Sequence, residues 1–496
     1  MTQMHPTRRQ ILLGSAGLAA TGLIRPAFGQ AKPLLTVASR QIEVLGRAAK
    51  VYGLTDAMGK PGLSAREGDR MTGLVQNATD TPLIMHWHGQ VLAAEGQDRA
   101  YTGGGATAPG SADTVDFPLT PGTHWMHAHQ MTEQQLLAAP MITREADAED
   151  IQEHVILLHD FSFKTPEEIL AGLGASMMHG HDNGTAAMPG MDHGASDIAG
   201  MDHSKMSGMS DMQAPAKDAM AGMSMSNGMM VHANDVTYDA YLANDRTLAD
   251  PEVVQVDKSA RIRLRIINGA TASAFWIDTG PLASACIATD GGACAPFTAS
   301  RYPIAMGQRL DIVVTIPPEG GAFPIFAQVE AAKMRTGIIL ATAGAQIPKL
   351  ADKAETDSPN LDISFDAGLT ALKPLPEAQA RMVHIALGEE AGYRFTINGK
   401  ARGEDSPIAA RLGERIELMF MNPTMMMHPM HLHGHHFQVV DLGSGRFNGP
   451  RRDVVVVNPG AMVTVAVDLD KKGSWFLHCH HLYHMATGMM TELLVT

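Results

Sequence analysis

His478-Cys479-His480-His481-Leu482-Tyr483-His484, with Met489 five residues beyond, is the stretch from which the rest of the chain can be read. In an extended strand successive side chains point to opposite faces. Cys479 therefore faces one way, and His478 and His480 face the other. A cysteine, a histidine five residues on and a methionine five further can close around one soft metal. Two histidines and a cysteine with a weak axial methionine hold a blue-copper electron-transfer site. The flanking histidines are left pointing elsewhere, so electrons can pass from one metal site to another through a single residue and its neighbours.

The remaining partners lie upstream. Met427-His428-Pro429-Met430-His431-Leu432-His433-Gly434 offers a second histidine for the Cys479 site and two more besides. Near the N-terminus stand His86-Trp87-His88-Gly89 and Trp125-Met126-His127-Ala128-His129. A single His-x-His pair carries little, because alternation puts any two such residues on one strand face and ordinary core or surface histidines explain them. Four clusters of this internal spacing are a different observation. They also repeat, with 41 residues between His86 and His127 and 47 between His431 and His478. Two equivalent domains, each offering two His-x-His arms, can face one another and cage three metals. Only the later domain adds His428 and Cys479.

In order and spacing these clusters resemble the four copper signatures of the multicopper oxidase family, over essentially the whole chain after its leader. The likeness is greatest to bacterial periplasmic copper-tolerance oxidases that oxidise Cu(I). The resemblance implies four copper ions. A type 1 copper would be held by His428, Cys479, His484 and Met489, and a type 2 copper by His86 and His431. A type 3 pair would be held by His88, His127, His129, His433, His478 and His480. Cys479, His478 and His480 would carry the electrons, and Asp98, in a loop one residue longer than usual, would help move protons. The implied fold is all-β: three cupredoxin-like Greek-key barrel domains, with the three-copper site between domains 1 and 3. Domain 1 would span 30–147, domain 2 148–345, and a linker with domain 3 346–496. The middle domain, in which no histidine cluster stands, would be a cupredoxin without copper.

Composition agrees with this organisation. A chain of 496 residues is long for one domain and suits about three,. The net charge of −14, without a basic run, argues against nucleic acid or an anionic membrane as partner,. Residues 1–29 read as an export signal: Thr7-Arg8-Arg9-Gln10-Ile11-Leu12 is a twin-arginine pattern, followed by the apolar run 11–24 and a small-residue exit, Ala27-Phe28-Gly29,. Removing its three arginines takes the charge from −14 to −17. No stretch is long and apolar enough to stay in a membrane. The mature chain is expected to be periplasmic, exported by the twin-arginine machinery, and monomeric. Of the three cysteines, Cys286 and Cys294 flank the turn signal Asp290-Gly291-Gly292 and read equally as a hairpin disulfide or as two buried thiols,.

Alternating or buried strands are expected at 42–45, 71–75, 82–85, 153–158, 260–269, 309–316, 415–420 and 453–457. His154, His159 and His232 are isolated and read as structural. Residues 176–230 interrupt domain 2. They are rich in Met, Gly, Ala, Ser and Asp and nearly without branched aliphatics, so they cannot bury a core. Gly190-Met191-Asp192-His193 recurs as Gly200-Met201-Asp202-His203, and eight more methionines follow at no helical or strand period. Thioether sulfur favours Cu(I) and imidazole also binds copper, so the segment reads as a copper-capturing flap. Met191, His193, Met201, His203, Met427 and Met485 are the candidates for holding substrate copper. Thr424 and Met485 stand where related cuprous oxidases carry acids, so a carboxylate-built substrate site is not expected. The expected activity is oxidation of Cu(I) by O2 for copper tolerance. The alternatives are a laccase-like oxidase of phenols or another small organic reductant, and a copper store without catalysis, for which a cysteine bridge between sites would have no use. A copper nitrite reductase would lack the second histidine pair in each domain.

Overall fold

In the computed structural model, residues 34–101, 103–180 and 234–496 are described, the side chains of 175–180 excepted. The leader, Met191, His193, Met201, His203 and His232 lie outside the described residues. The described chain forms six β-sheets that pair, in chain order, into three double-sheet units. The first unit uses strands from Leu35–Val44 to Ala138–Arg144, the second from Gln152–Phe161 to Arg335–Ala341, and the third from Arg381–Glu390 to Met490–Val495. Every strand expected from the sequence falls on an observed strand or, for 82–85, at the start of one.

The second and third units repeat one strand order, six strands in one sheet and five in the other, and the first unit repeats it with four in each, lacking the outer hairpin of one sheet and an edge strand of the other. The repeat explains where metal ligands can sit. Met85–His88 and Gly122–Ala128 in the first unit occupy the places of His428–Leu432 and Gly473–Cys479 in the third. The same places in the second unit are taken by Phe275–Asp278 and Ala322–Val329, which contain neither histidine nor cysteine. All three units share one strand plan, and only the outer two carry ligand-type side chains on these strands.

Packing between units is polar as well as apolar. Arg263 and Arg265 alternate along Arg261–Asn268 yet are buried, because Glu145, Glu153 and Asp311 receive their guanidinium groups. Thr123 of the first unit joins them, donating to Asp311 at 2.6 Å and accepting from Arg265 at 2.9 Å. Cys286 and Cys294 are buried thiols. Their hairpin turns at Asp290-Gly291 with φ of 48° and 80°, the left-handed pair that a two-residue hairpin requires,. A register shift between Cys286 and Ala288 sets Cys286 opposite Phe297, where the register at the turn would have set it opposite Ala295.

One helix was not legible as such. Pro166–Gly180 enters the Met-rich interruption, and its start is a capping box: the Glu168 amide donates to Thr165 Oγ1 at 3.2 Å, and Glu168 accepts from the Thr165 amide at 2.8 Å,.

At the seam of the second and third units Glu330 is buried. It accepts from the Leu361 amide at 2.6 Å through Oε1, while Oε2 has no partner among the described residues. Burial pushes its carboxyl up to about 8, against the Leu361 amide. The folded protein therefore keeps this proton over a range where the unfolded chain has lost it, and stability falls as pH rises from about 4.5 to about 8,. Glu330→Gln is expected to flatten that slope, gaining up to about 4 kcal/mol on the wild type between pH 5 and pH 8.5. Melting curves at the two pH values check it; parallel pH dependence in both proteins contradicts it.

Candidate metal centres

The four histidine clusters converge because the strands that carry them pair. On Met85–His88 and Gly122–Ala128, His86 stands opposite His127. On His428–Leu432 and Gly473–Cys479, His431 stands opposite His478 and Met430 opposite Cys479. The two pairs face each other across the first and third units, with His86 stacked on His433 and His88 on His431 at 3.8 Å between ring centres.

Eight histidines are thereby brought together, all buried. His86 Nε2 and His431 Nε2 lie 3.2 Å apart. His129, His433 and His478 form one triad, with His478 Nε2 at 3.2 Å from His129 Nε2 and 3.0 Å from His433 Nε2. His88, His127 and His480 form the other, their ring nitrogens within 4.8 Å of one another. His478 and His480, which leave Cys479 on one face, thus go to different triads. Burial pushes His86, His88, His433, His478 and His480 well below the usual imidazole range, His129 to about 3 and His431 to about 4, with neighbouring imidazoles adding to the effect. Buried imidazoles held neutral keep the lone pair that a metal requires.

Several of these rings are oriented by groups on their far side, as metal ligands usually are. Asp98 Oδ2 accepts from His86 Nδ1 at 2.7 Å and His433 Nδ1 at 3.0 Å. Burial pushes the Asp98 carboxyl well above the usual range, opposed by the Ala100 and Trp87 amides. Glu133 lies 3.1 Å from His127 Nδ1. Asp453 Oδ1 accepts from His88 Nε2 at 3.0 Å, and its carbonyl oxygen accepts from His431 Nδ1 at 2.8 Å. His88 Nδ1, His127 Nε2 and both ring nitrogens of His480 are buried without a hydrogen-bond partner among the described residues. Orphaned nitrogens gathered in one triad are costly unless a metal engages them, so the donor set fits copper. The middle unit closes the back of the cage at Gly307, where an added Cβ would stand 2.6 Å from His480 Cδ2.

Cys479 points the other way, to His428 and His484, each Nδ1 at 3.8 Å from Sγ and the two Nδ1 atoms 3.2 Å apart. Met489 is fully buried and pinned by its backbone, accepting from the Cys479 amide at 3.0 Å and donating to the His484 carbonyl at 2.9 Å. Thr424 Oγ1 lies 2.8 Å from His428 Nε2, and Phe395 stacks on His484 at 3.8 Å. Of the proposed substrate-copper methionines, Met427 is buried against Met306, Leu361 and Val456, while Met485 is half-buried on the short helix Leu482–Ala486 beside His484.

A carboxylate does reach this site, from outside the motifs. Asp235 Oδ1 accepts from His481 Nε2 at 3.1 Å, Oδ2 lies 3.7 Å from His484 Nε2, and Tyr393 donates its hydroxyl to the same carboxylate. Burial opposes its ionisation, yet His481 and His484 hold its carboxyl well below the usual range. His481 is stacked on His484 at 3.7 Å. Asp235, Glu133 and Asp453 were missed in the sequence because no local pattern marks them.

Asp98→Asn tests the far-side support. Losing the shared carboxyl is expected to cost about 10- to 100-fold in copper retention or oxygen turnover. The absorption of copper bound at Cys479 should be unchanged. Full retention and turnover would contradict the role.

Three double-sheet units of cupredoxin type, with an eight-histidine cage between the first and third and a cysteine-histidine site bonded directly to it, define a copper-dependent oxidase. Sequence profiles of the multicopper oxidase family match residues 36–147, 205–345 and 374–496, and the chain belongs to that family. It is 28% identical to multicopper oxidase MmcO of Mycobacterium tuberculosis over 97% of this chain and 90% of that protein. It is 23% identical to a copper resistance protein A homologue of Pseudomonas syringae over 93% of this chain and 92% of that one. The fold superimposes on the laccase of Botrytis aclada with a TM-score of 0.69 at 20% identity, over 93% of this chain and 86% of the other.

Proposed function

We propose that this chain is a periplasmic oxidase that couples one-electron oxidation of Cu(I) to four-electron reduction of O2 to water, serving copper tolerance. In this reading it is a monomer exported by the twin-arginine route and built of domains 30–147, 148–345 and 346–496. It holds four copper ions: one at His428, Cys479, His484 and Met489, one at His86 and His431, and a pair at the two histidine triads. Copper bound there supplies the one-electron redox chemistry and the reduction of dioxygen.

The residues of the chain do the rest. Cys479 joins the two centres by the shortest covalent route, through its peptide bonds to His478 and His480, and its carbonyl oxygen also accepts from His478 Nδ1 at 2.9 Å. Asp98, buried and touching one ring from each side of the cage, holds or releases a proton at His86 Nδ1 and His433 Nδ1. Asp453 and Glu133 fix the rings of His88 and His127, and Phe395 keeps water from His484.

The observation that carries the choice of donor is where the Met-rich stretch ends. Residues 176–230 are followed, after Val231-His232-Ala233, by Asn234-Asp235, and Asp235 is fastened at His481 beside His484. A thioether-rich segment tethered at the electron-accepting histidine suits delivery of Cu(I). The copper resistance name of the Pseudomonas relative supports the same reading. A laccase-like activity is favoured by one observation, the Asp235 carboxylate at His484, which could also take a phenol's proton.

The test is oxygen uptake by demetallated protein reloaded with copper, given Cu(I) or a substituted phenol, for the intact chain and for a deletion of 176–230. Faster uptake with Cu(I) than without, falling sharply on deletion, is expected. Slow uptake with Cu(I) in both, beside brisk phenol oxidation, would move the assignment to a laccase.

A further inference from the structure

The outer face of the third unit's six-stranded sheet carries soft side chains that neither the core nor the metal centres use. Strands Arg381–Glu390, Arg415–Met421 and Met462–Asp468 lie side by side there, with His384 opposite Met419 and Met421 opposite Met462. Alternation sends Ile416, Leu418 and Phe420 into the core, together with Ile385, Val463 and Val465,. The nine places between them that face outward include Met382, His384, Met419, Met421 and Met462. Methionine is 34 of 496 residues, so nine places filled at random would hold fewer than one, and these hold four. Met382 and Met462 are 39% and 54% exposed, His384 is exposed, and Met419 and Met421 are half-buried. In the second unit the corresponding places carry Glu153, Arg263, Arg265 and Asp311, the ion pairs that Thr123 of the first unit joins. A sheet face open to water normally presents polar side chains, and methionine is not among the residues that strands favour.

We infer that this face binds Cu(I), at a site separate from the eight-histidine cage, the Cys479 site and residues 176–230. Opposite side chains on one sheet face stand about 5 Å apart at Cβ and diagonal ones about 7–8 Å, within reach of long side chains. His384, Met419 and Met421 therefore close on one ion, with Met462 beside Met421 and Met382 at the edge. Ala386, opposite Met421, and Thr464, opposite Met419, are small and leave room above the sheet for the thioether arms. Glu417 on the same face is held by Arg446 at 2.7 and 3.0 Å, so the patch offers sulfur and imidazole rather than a carboxylate. Such donors select Cu(I) over hard divalent ions. Arg381–Glu390 and Arg415–Met421 run parallel and end at a 340 Å³ cleft lined by Glu390, Thr424 and Met425, and Thr424 Oγ1 is 2.8 Å from His428 Nε2. Cu(I) gathered on the face is thus held on the strand whose next residues reach the Cys479 site. That use rests on the Cu(I) donor proposed above; the binding does not.

The experiment soaks crystals of the copper-loaded holoenzyme in Ag(I), which has the filled d shell of Cu(I) and is not oxidised by O2, and locates silver by its anomalous signal. A silver peak bonded to His384 and to methionine sulfur is expected in the wild type and in a deletion of 176–230. It should be absent from the triple variant Met419→Leu, Met421→Leu, Met462→Leu, whose new side chains nearly match methionine in volume, and weakened in His384→Ala. In solution the triple variant should take up one equivalent of Ag(I) fewer and show a raised KM for Cu(I), with kcat and phenol oxidation unchanged. No peak on the face, or one unchanged in the triple variant, overturns the site. An unchanged KM for Cu(I) overturns its use in delivery. A silver peak there in an enzyme that does not oxidise Cu(I) overturns the proposed donor while the site stands.

Discussion

Replacing Cys479 by serine is expected to stop oxygen reduction while leaving the fold intact. Cys479 is fully buried, its sulfur faces His428 and His484, and its backbone is held by strand pairing and by Met489. Serine fits the space, so little packing is lost. What is lost is the thiolate, the soft ligand that a blue-copper site needs, and with it the sulfur end of the covalent route to His478 and His480. Turnover with any donor should fall by about a thousandfold or more, at least about 4 kcal/mol on the barrier. The intense visible absorption should vanish, with copper at the eight histidines retained. Steady-state oxygen uptake, visible spectra and copper analysis check this; a blue, active Cys479→Ser protein contradicts it.

The second large effect is on stability. Asp453 binds the Arg309 guanidinium through both oxygens, the Nη1 contact at 2.6 Å, and also meets His88 and, at 3.4 Å, His436. Both Asp453 and Arg309 are buried. The pair ties the second unit to a ligand of the first through a residue of the third. Asp453→Asn leaves the guanidinium buried with no counter-charge on that side, a change that costs about 3–5 kcal/mol in such pairs. Asp290, 3.8 Å from Arg309, softens the loss. Burial opposes ionisation of Asp453, but Arg309 and His88 hold its carboxyl well below the usual range. A depressed carboxyl adds stability above its unfolded value of about 4, lost as pH falls toward the folded value. The wild type should therefore exceed Asp453→Asn most clearly near neutral pH, with the gap closing in acid. Denaturant midpoints at pH 7 and pH 3, below the unfolded value, read this directly; an equal gap at both would contradict it.

Much of this architecture was legible because strand alternation is a local signal. The His-x-His pairs and the Cys479 motif sit on strand ends where the period of two fixes their faces, and the duplication of first and third units shows in the spacing alone. The Asp290-Gly291 turn was legible for the same reason, while the shift that sets Cys286 opposite Phe297 was not, since a bulge leaves no mark in the pattern. The second layer of the site was out of reach. Asp453 meets His88, and Asp235 meets His481, only after distant strands fold together, and a lone aspartate in a sequence reads as a turn. No acid stands at Thr424 or Met485, and from that the sequence reading expected no carboxylate here; Asp235, beyond the Met-rich stretch, supplies one. The Pro166–Gly180 helix did carry its signal in Thr165, Pro166 and Glu168, masked by the low-complexity composition into which it runs.

The most direct test of the central claim is a copper-edge anomalous map from crystals of the copper-loaded protein. Four peaks are predicted: one among His428, Cys479 and His484, one between His86 and His431, and one at each histidine triad. A missing peak at Cys479, or fewer than three within the eight-histidine cage, would contradict it.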